Sequence, residues 1–172
     1  APVIVGGNAR DPNLRPAYVT GRTKDSVSAA LASAVKLAVQ TYGPEGVFVL
    51  SPSVRNLTAS KSPIADLVRR HLAGIPSFVA GQDDANIDAD LIRGKLAVLS
   101  YNAAKGCERP CVIVVGLDET YFDYFDRQWN ERTSIPNVMT VAATRASAQL
   151  VVVADSHRTL RTVSHDILGV DA

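Results

Sequence analysis

Short runs of apolar and β-branched residues alternate along the chain with stretches whose apolar positions recur every three or four residues. That is the rhythm of a parallel sheet joined by crossover helices. Ala17-Tyr18-Val19-Thr20 reads as the first strand. After it, apolar residues fall at Val27, Ala30, Leu31, Ala34, Val35 and Ala38, which puts one stripe of a helix against a core until Gly43-Pro44 stops it. Val47 to Leu50 is apolar at every position, as a strand covered on both faces must be, and it opens into the breaker-rich Ser51-Pro52-Ser53. Loops in that position face ligands. Ser62-Pro63 predicts the start of a second helix, Ile64 to about Leu72, closed by Gly74.

The second half continues the alternation. Ser77 to Ala80 reads as a short strand, and Gln82 to Asp90 as an acidic, polar loop where disorder is expected first. Leu96 to Ser100, Cys111 to Gly116 and Leu150 to Ala154 are three core strands. Between the last two lie an aromatic-acidic stretch, Tyr121 to Trp129, and a helix opened by Ser134-Ile135-Pro136 and running to about Ala146. The predicted class is α/β, with a mainly parallel sheet flanked by helices.

At 172 residues and 47% hydrophobic, the chain suits a single domain, 1–172, with a core of about 16–155 and flanking segments 1–15 and 156–172. Lys and Arg number 18 against 17 Asp and Glu, so any contact with nucleic acid must come from a local basic patch. Cys107 and Cys111 have no further Cys and no nearby His to complete a zinc site, so no metal is assigned to the chain itself. No apolar run approaches the roughly 20 residues of a membrane span, and Ala1-Pro2-Val3 lacks the character of a signal peptide. The expected location is intracellular: nuclear in a eukaryote, cytoplasmic in a bacterium or at a viral replication site. The sequon Asn56-Leu57-Thr58 is then a chance match.

Two segments carry candidate chemistry. In Val141-Ala142-Ala143-Thr144-Arg145-Ala146 an arginine follows small residues near a helix end, from where it can probe a phosphate. Alone, such an arginine reads more readily as half of a surface salt bridge. In the other segment the strand Leu96 to Ser100 ends in a loop holding Ser100, Asn102, Lys105, Gly106 and Glu108 before the chain returns as a core strand. Alone, that loop equally reads as an ordinary connection whose polar groups cap a short helix.

Taken together, Ser100-x-Asn102-x-x-Lys105-Gly106-x-Glu108, the apolar strand Val112 to Leu117, and Val141-Ala142-x-Thr144-Arg145-Ala146 resemble the fifth and sixth motifs of UvrD/Rep-type superfamily-one DNA helicases. Those motifs typically read T-x-H-x-x-K-G-L-E and Y-V-A-L-T-R-A. Arg22-Thr23 is similar to the Y-R-S of the fourth motif, and Leu72 to Gly81 to the segment "AGIP…GG". Asn102 stands where the family usually has His, and Gly21 where it often has a Tyr that stacks on adenine. The large insertion of many relatives is reduced to about Gln82 to Arg93, and Gly116-Leu117-Asp118-Glu119-Thr120-Tyr121-Phe122 is similar to a pattern in compact helicases of phages and large DNA viruses.

The resemblance implies a RecA-like three-layer fold and the second motor domain of an ATP-dependent helicase. It implies that Arg145 acts as an arginine finger with Arg22 as a weaker partner, and that Glu108, Gly106 and Lys105 lie at the nucleotide. It places Ser51, Ser100 and Asn102 on single-stranded DNA. The sequence holds no G-x-x-x-x-G-K-[ST] phosphate loop. ATP and its Mg²⁺ would therefore be held by an N-terminal RecA-like domain of the same protein, and the chain alone is expected to be inactive. Two other readings stay open at this point: a non-catalytic nucleic-acid or protein interaction module, and a dinucleotide-binding domain built on Val5-Gly6-Gly7, which lacks G-x-G-x-x-G.

Overall fold

The computed structural model describes residues 17–83, 86–117, 121 and 137–155. Its elements are β1 (Ala17–Gly21), α1 (Lys24–Tyr42), a 3₁₀ turn (Pro44–Gly46), β2 (Val47–Ser51), α2 (Pro63–Arg70), β3 (Ser77–Val79), α3 (Ala89–Ile92), β4 (Leu96–Ser100), β5 (Arg109–Val115), α4 (Asn137–Ala143) and β6 (Ala146–Asp155). The strands form one sheet in the order β1-β6-β5-β2-β4-β3. Every pairing is parallel. Helices flank this sheet, the α/β arrangement of a RecA-like domain.

The central strands explain the all-apolar runs. β2 and β4 are buried at every position, so both faces of the sheet are covered there. α1 lies across β1, β5 and β6 and against α2, burying Val27, Leu31, Val35 and Ala38, which are four positions of one stripe. Its start is fixed by a reciprocal cap: Thr23 Oγ1 accepts from the Ser26 amide at 3.2 Å, and the Thr23 amide donates to Ser26 Oγ at 2.8 Å. α2 begins at the expected Ser62 cap with Pro63 in its first turn.

Two boundaries differ from the sequence reading. The helix expected to reach Ala146 stops at Ala143, because Thr144 Oγ1 and Arg145 Nε both donate to the Val141 carbonyl, at 3.0 and 3.1 Å. The backbone then joins the sheet at once, the Arg109 amide donating to the Arg145 carbonyl at 3.1 Å. β6 therefore starts four residues before Leu150, in Ala146-Ser147-Ala148-Gln149, whose small and polar side chains give no strand signal. The loop expected to be disorder-prone also contains built structure: Asp88 caps α3, and Asp83 holds the loop after β2. The proposed helix opening at Ser134-Ile135-Pro136, most of the stretch Tyr121 to Trp129, residues 118–120 and 122 of the Gly116 to Phe122 pattern, Val5-Gly6-Gly7 and both flanking segments lie outside the described residues.

Candidate functional site

In a parallel sheet all carboxyl ends share one edge and all amino ends the other. β2 leads through α2 towards β3, whereas β5 leads to β6 on the opposite side, so the chain turns away from this neighbouring pair in two directions. A crevice opens at the carboxyl ends of such a pair, and ligands of α/β proteins bind there. Here it is a cleft of about 690 Å³ whose lining includes Ser51, Ser53 and Gly116, the cations Lys24, Arg55 and Lys61, and the carboxylate Asp155. A second cavity of about 550 Å³, between α1 and the β1–β6 side of the sheet, is lined mostly by alanines and other apolar groups and gathers no charged side chain.

The structure brings most of the proposed strand contacts to this carboxyl edge, with one correction. Ser51 ends β2 and lines the cleft. Asn102 is exposed in an adjoining hollow of about 370 Å³, beside Ser53, Arg55 and Asp83. Ser100 ends β4 but is fully buried, and its hydroxyl donates to the Asp83 carbonyl while accepting from the Ala103 amide at 3.0 Å. It is a cap for the turn that follows, with no surface to offer a strand.

Arg22 also lies at the carboxyl edge, because the register pairs its neighbour Gly21 with Asp155 at the end of β6. Arg145 immediately precedes β6 at the amino edge. The 10 residues of β6 separate the two arginines, roughly 30 Å at the rise of an extended strand. The structure therefore does not bring Arg22 to Arg145, and one triphosphate cannot be shared between them on this domain. Gly21 explains the departure from the family's aromatic residue. A Cβ there would stand 2.4 Å from the Val27 amide nitrogen, so the first turn of α1 leaves no room for a side chain, and no adenine can stack at that position.

The remaining candidates gather at the amino edge. From Ser100 the chain returns from the carboxyl to the amino edge within eight residues through a compact run of turns, with the Ala104, Lys105 and Cys107 amides donating to the Ser100, Asn102 and Ala104 carbonyls. Gly106 adopts φ +80°, a conformation side chains disfavour, while the space around it is open. The turn's shape requires this glycine, rather than a close approach by a neighbour. Glu108 then precedes β5 beside Arg145, since the Arg109 amide donates to the Arg145 carbonyl. Among the described residues neither Glu108 nor Arg145 has an ion-pair partner. Arg145 is half-buried, and its own Thr144 and Val141 hold the guanidinium by Nη2 at 3.3 Å and Nε at 3.1 Å. Lys105 is exposed on the same turn.

Sequence reasoning missed Arg109, the first residue of β5. It is buried, with Nη1 donating to the Val47 and Lys95 carbonyls at 2.8 and 2.6 Å, Nη2 donating to the Ile92 carbonyl at 2.9 Å, and the cation 4.4 Å from the Phe48 ring centre. Burial lowers its pKa, partly offset by Glu45 and Cys107. A charged residue directly before an apolar run was the available signal, but its acceptors come from two remote segments, around Val47 and from Ile92 to Lys95. Neighbouring Cys111 is buried, and desolvation pushes its thiol up to about 12, so it offers no thiolate for chemistry or metal binding near neutral pH.

The sequence matches no known protein family and no curated protein. Among solved structures, the chain is similar to the C-terminal domain of a possible DNA helicase from Lactobacillus plantarum WCFS1, with a TM-score of 0.54, 14% identity, and coverage of 81% of this chain and 73% of that one. At that identity the likeness establishes the fold.

Proposed function

We propose that the chain is the second motor domain of an ATP-dependent DNA helicase, with a nucleotide site on its amino edge and a single-stranded DNA track on its carboxyl edge. One observation carries this reading. The turn from Ser100 to Glu108 links both edges in eight residues, with Asn102 beside the basic cleft and Gly106 and Glu108 beside Arg145. The solved relative in fold supports the same class, being the C-terminal domain of a possible DNA helicase, and so does the resemblance of residues 100–108 and 141–146 to helicase motifs.

The chemistry follows from the placement. A phosphate loop on a partner domain would hold the triphosphate of ATP and its Mg²⁺, and this chain would close over it. Arg145 would then meet the charge that develops on the γ-phosphoryl group, which a planar guanidinium stabilises better than an ammonium. Glu108, which has no ion-pair partner among the described residues, would accept from a ribose hydroxyl. On the other edge Ser51, Asn102, Lys24, Arg55 and Lys61 would grip the sugar-phosphate backbone without reading bases. Arg22 belongs with those cations rather than with Arg145. Because one short turn carries both sets, a shift of Glu108 on cleft closure would be passed to Asn102.

The test is turnover. The isolated chain should hydrolyse no ATP above background with or without single-stranded DNA, and joining it to its phosphate-loop domain should restore DNA-stimulated hydrolysis. DNA-stimulated turnover by the chain alone would refute the assignment.

A further inference from the structure

The Asp83 carboxylate sits in a ring of donors. Its Oδ1 accepts from the Val54 amide at 2.7 Å, and its Oδ2 accepts from the Ser53 hydroxyl at 2.8 Å and from Arg55 Nε at 3.1 Å. A backbone amide, a hydroxyl and a guanidinium converging on one anion are the donor set with which proteins hold phosphate oxygens. All three donors belong to consecutive residues of the loop after β2, whereas Asp83 comes from the loop after β3. Ser53 and Arg55 line both the basic cleft and the hollow that holds Asn102.

The cradle has a firm base. On its far side Arg69 Nη1 donates to the Leu57 and Ser60 carbonyls at 2.9 and 2.7 Å, so the loop is pinned independently of Asp83. Exposure is asymmetric: the Arg55 side chain is 62% exposed and that of Asp83 only 16%. An incoming anion can therefore reach the guanidinium from solvent before the carboxylate leaves.

We propose that Ser53, Val54 and Arg55 form a cradle for one phosphodiester of a nucleic-acid strand, and that Asp83 occupies it as an internal anion when no strand is bound. Binding is then an exchange of one anion for another, and the acidic loop sets the affinity of the track. This inference rests on the carboxyl edge being that track. The exchange explains why a carboxylate is spent on a loop that Arg69 already pins.

Asp83→Asn in the full chain tests it. The amide oxygen can still accept from Val54, which keeps the loop closed, but the charge that competes with phosphate is gone. Fluorescence anisotropy with labelled oligothymidylate should show affinity rising on the order of tenfold, the value of one charge-assisted contact. The salt slope should steepen by about 0.7, as for one more phosphate neutralised on a single strand. Adding Arg55→Ala should cancel the gain. In the wild-type chain the Asp83 carboxyl carbon resonance should move on adding oligothymidylate, a readout that needs no substitution. Unchanged or weaker binding by Asp83→Asn with a lowered melting temperature, or an unmoved resonance, makes Asp83 a structural clamp and overturns the exchange. An equal gain for inorganic phosphate alone makes the cradle a small-anion site and overturns its assignment to a strand. If Arg55→Ala binds oligothymidylate as well as the wild type does, the track itself fails. If Arg55→Ala weakens binding while Asp83→Asn does not strengthen it, only the exchange fails.

Discussion

The two edges of the sheet meet their polar groups in opposite ways. At the carboxyl edge the donors that would hold an anion already hold one: Asp83 takes the Ser53, Val54 and Arg55 donors, and Ser100 is consumed by the Asp83 carbonyl and the Ala103 amide. At the amino edge Glu108 and Arg145 stand side by side, and neither has an ion-pair partner among the described residues. At the first edge the Ser53 to Arg55 donors are already engaged, so an anion arriving there would have to displace Asp83. The second shows no such pairing among the described residues, which fits the proposal of a site shared with another domain. The buried Arg109 lies at the amino edge and ties the starts of β2, β4 and β5 together through carbonyls.

This contrast can be broken by substitution. The largest effect is expected from Arg145→Ala in the protein that carries both motor domains. Turnover should fall about 10³- to 10⁵-fold with ATP affinity nearly intact, and Arg145→Lys should fail as well. Steady-state hydrolysis beside equilibrium nucleotide binding checks this. Turnover within a few fold of wild type together with a lower melting temperature would make Arg145 a structural residue.

Arg109→Ala should cost about 3 kcal/mol of stability, because several buried carbonyls lose a charged donor at once. Chemical denaturation measures it. Arg109→Lys should recover only part of the loss, since one ammonium cannot span three carbonyls drawn from two segments.

Alkaline pH sharpens the picture of the dry sheet interior. The Cys111 thiol is raised from 9.0 to about 12 in the folded chain, so below pH 9 it is neutral in both states and costs nothing. Between pH 9 and 12 the unfolded thiol ionises while the folded one does not, and stability should fall by roughly 1.4 kcal/mol per pH unit. Cys111→Val should flatten that part of the curve. An unchanged slope would mean that the thiol is not held neutral.

Much of this was legible in the sequence, for reasons that particular elements make clear. β2 and β4 announced themselves because strands covered on both faces must be apolar throughout, and α1 because one helical stripe must be. The start of β6 did not, since Ala146 to Gln149 enter the sheet through backbone pairing alone. Among the candidate residues, Glu108 and Arg145 were grouped by the helicase resemblance, and the structure sets them on adjacent strand starts. Arg22 was grouped with Arg145 by the same resemblance. The predicted strands already had Arg22 following one and Arg145 preceding another; the parallel pairing of β1 with β6 turns that order into opposite edges of the sheet. Asp83 and Arg109 were missed because their partners are loop donors and carbonyls, which residue identity does not encode.

The smallest expected effect is that of Lys61→Ala, which should weaken oligothymidylate binding only a few fold and reduce the salt slope by about 0.7, one phosphate contact's worth. Loss of all binding would mean that the cleft reads something more specific than backbone charge.

The division of labour between the edges is tested most directly by mapping where a strand lies. Oligothymidylate carrying a photoreactive base, crosslinked to the chain at low salt and read out by peptide mass spectrometry, should label the loop from Ser51 to Lys61 and Asn102 at the carboxyl edge. Labelling of Lys105 to Glu108 or of Arg145 in their place would put the strand on the amino edge and contradict the account.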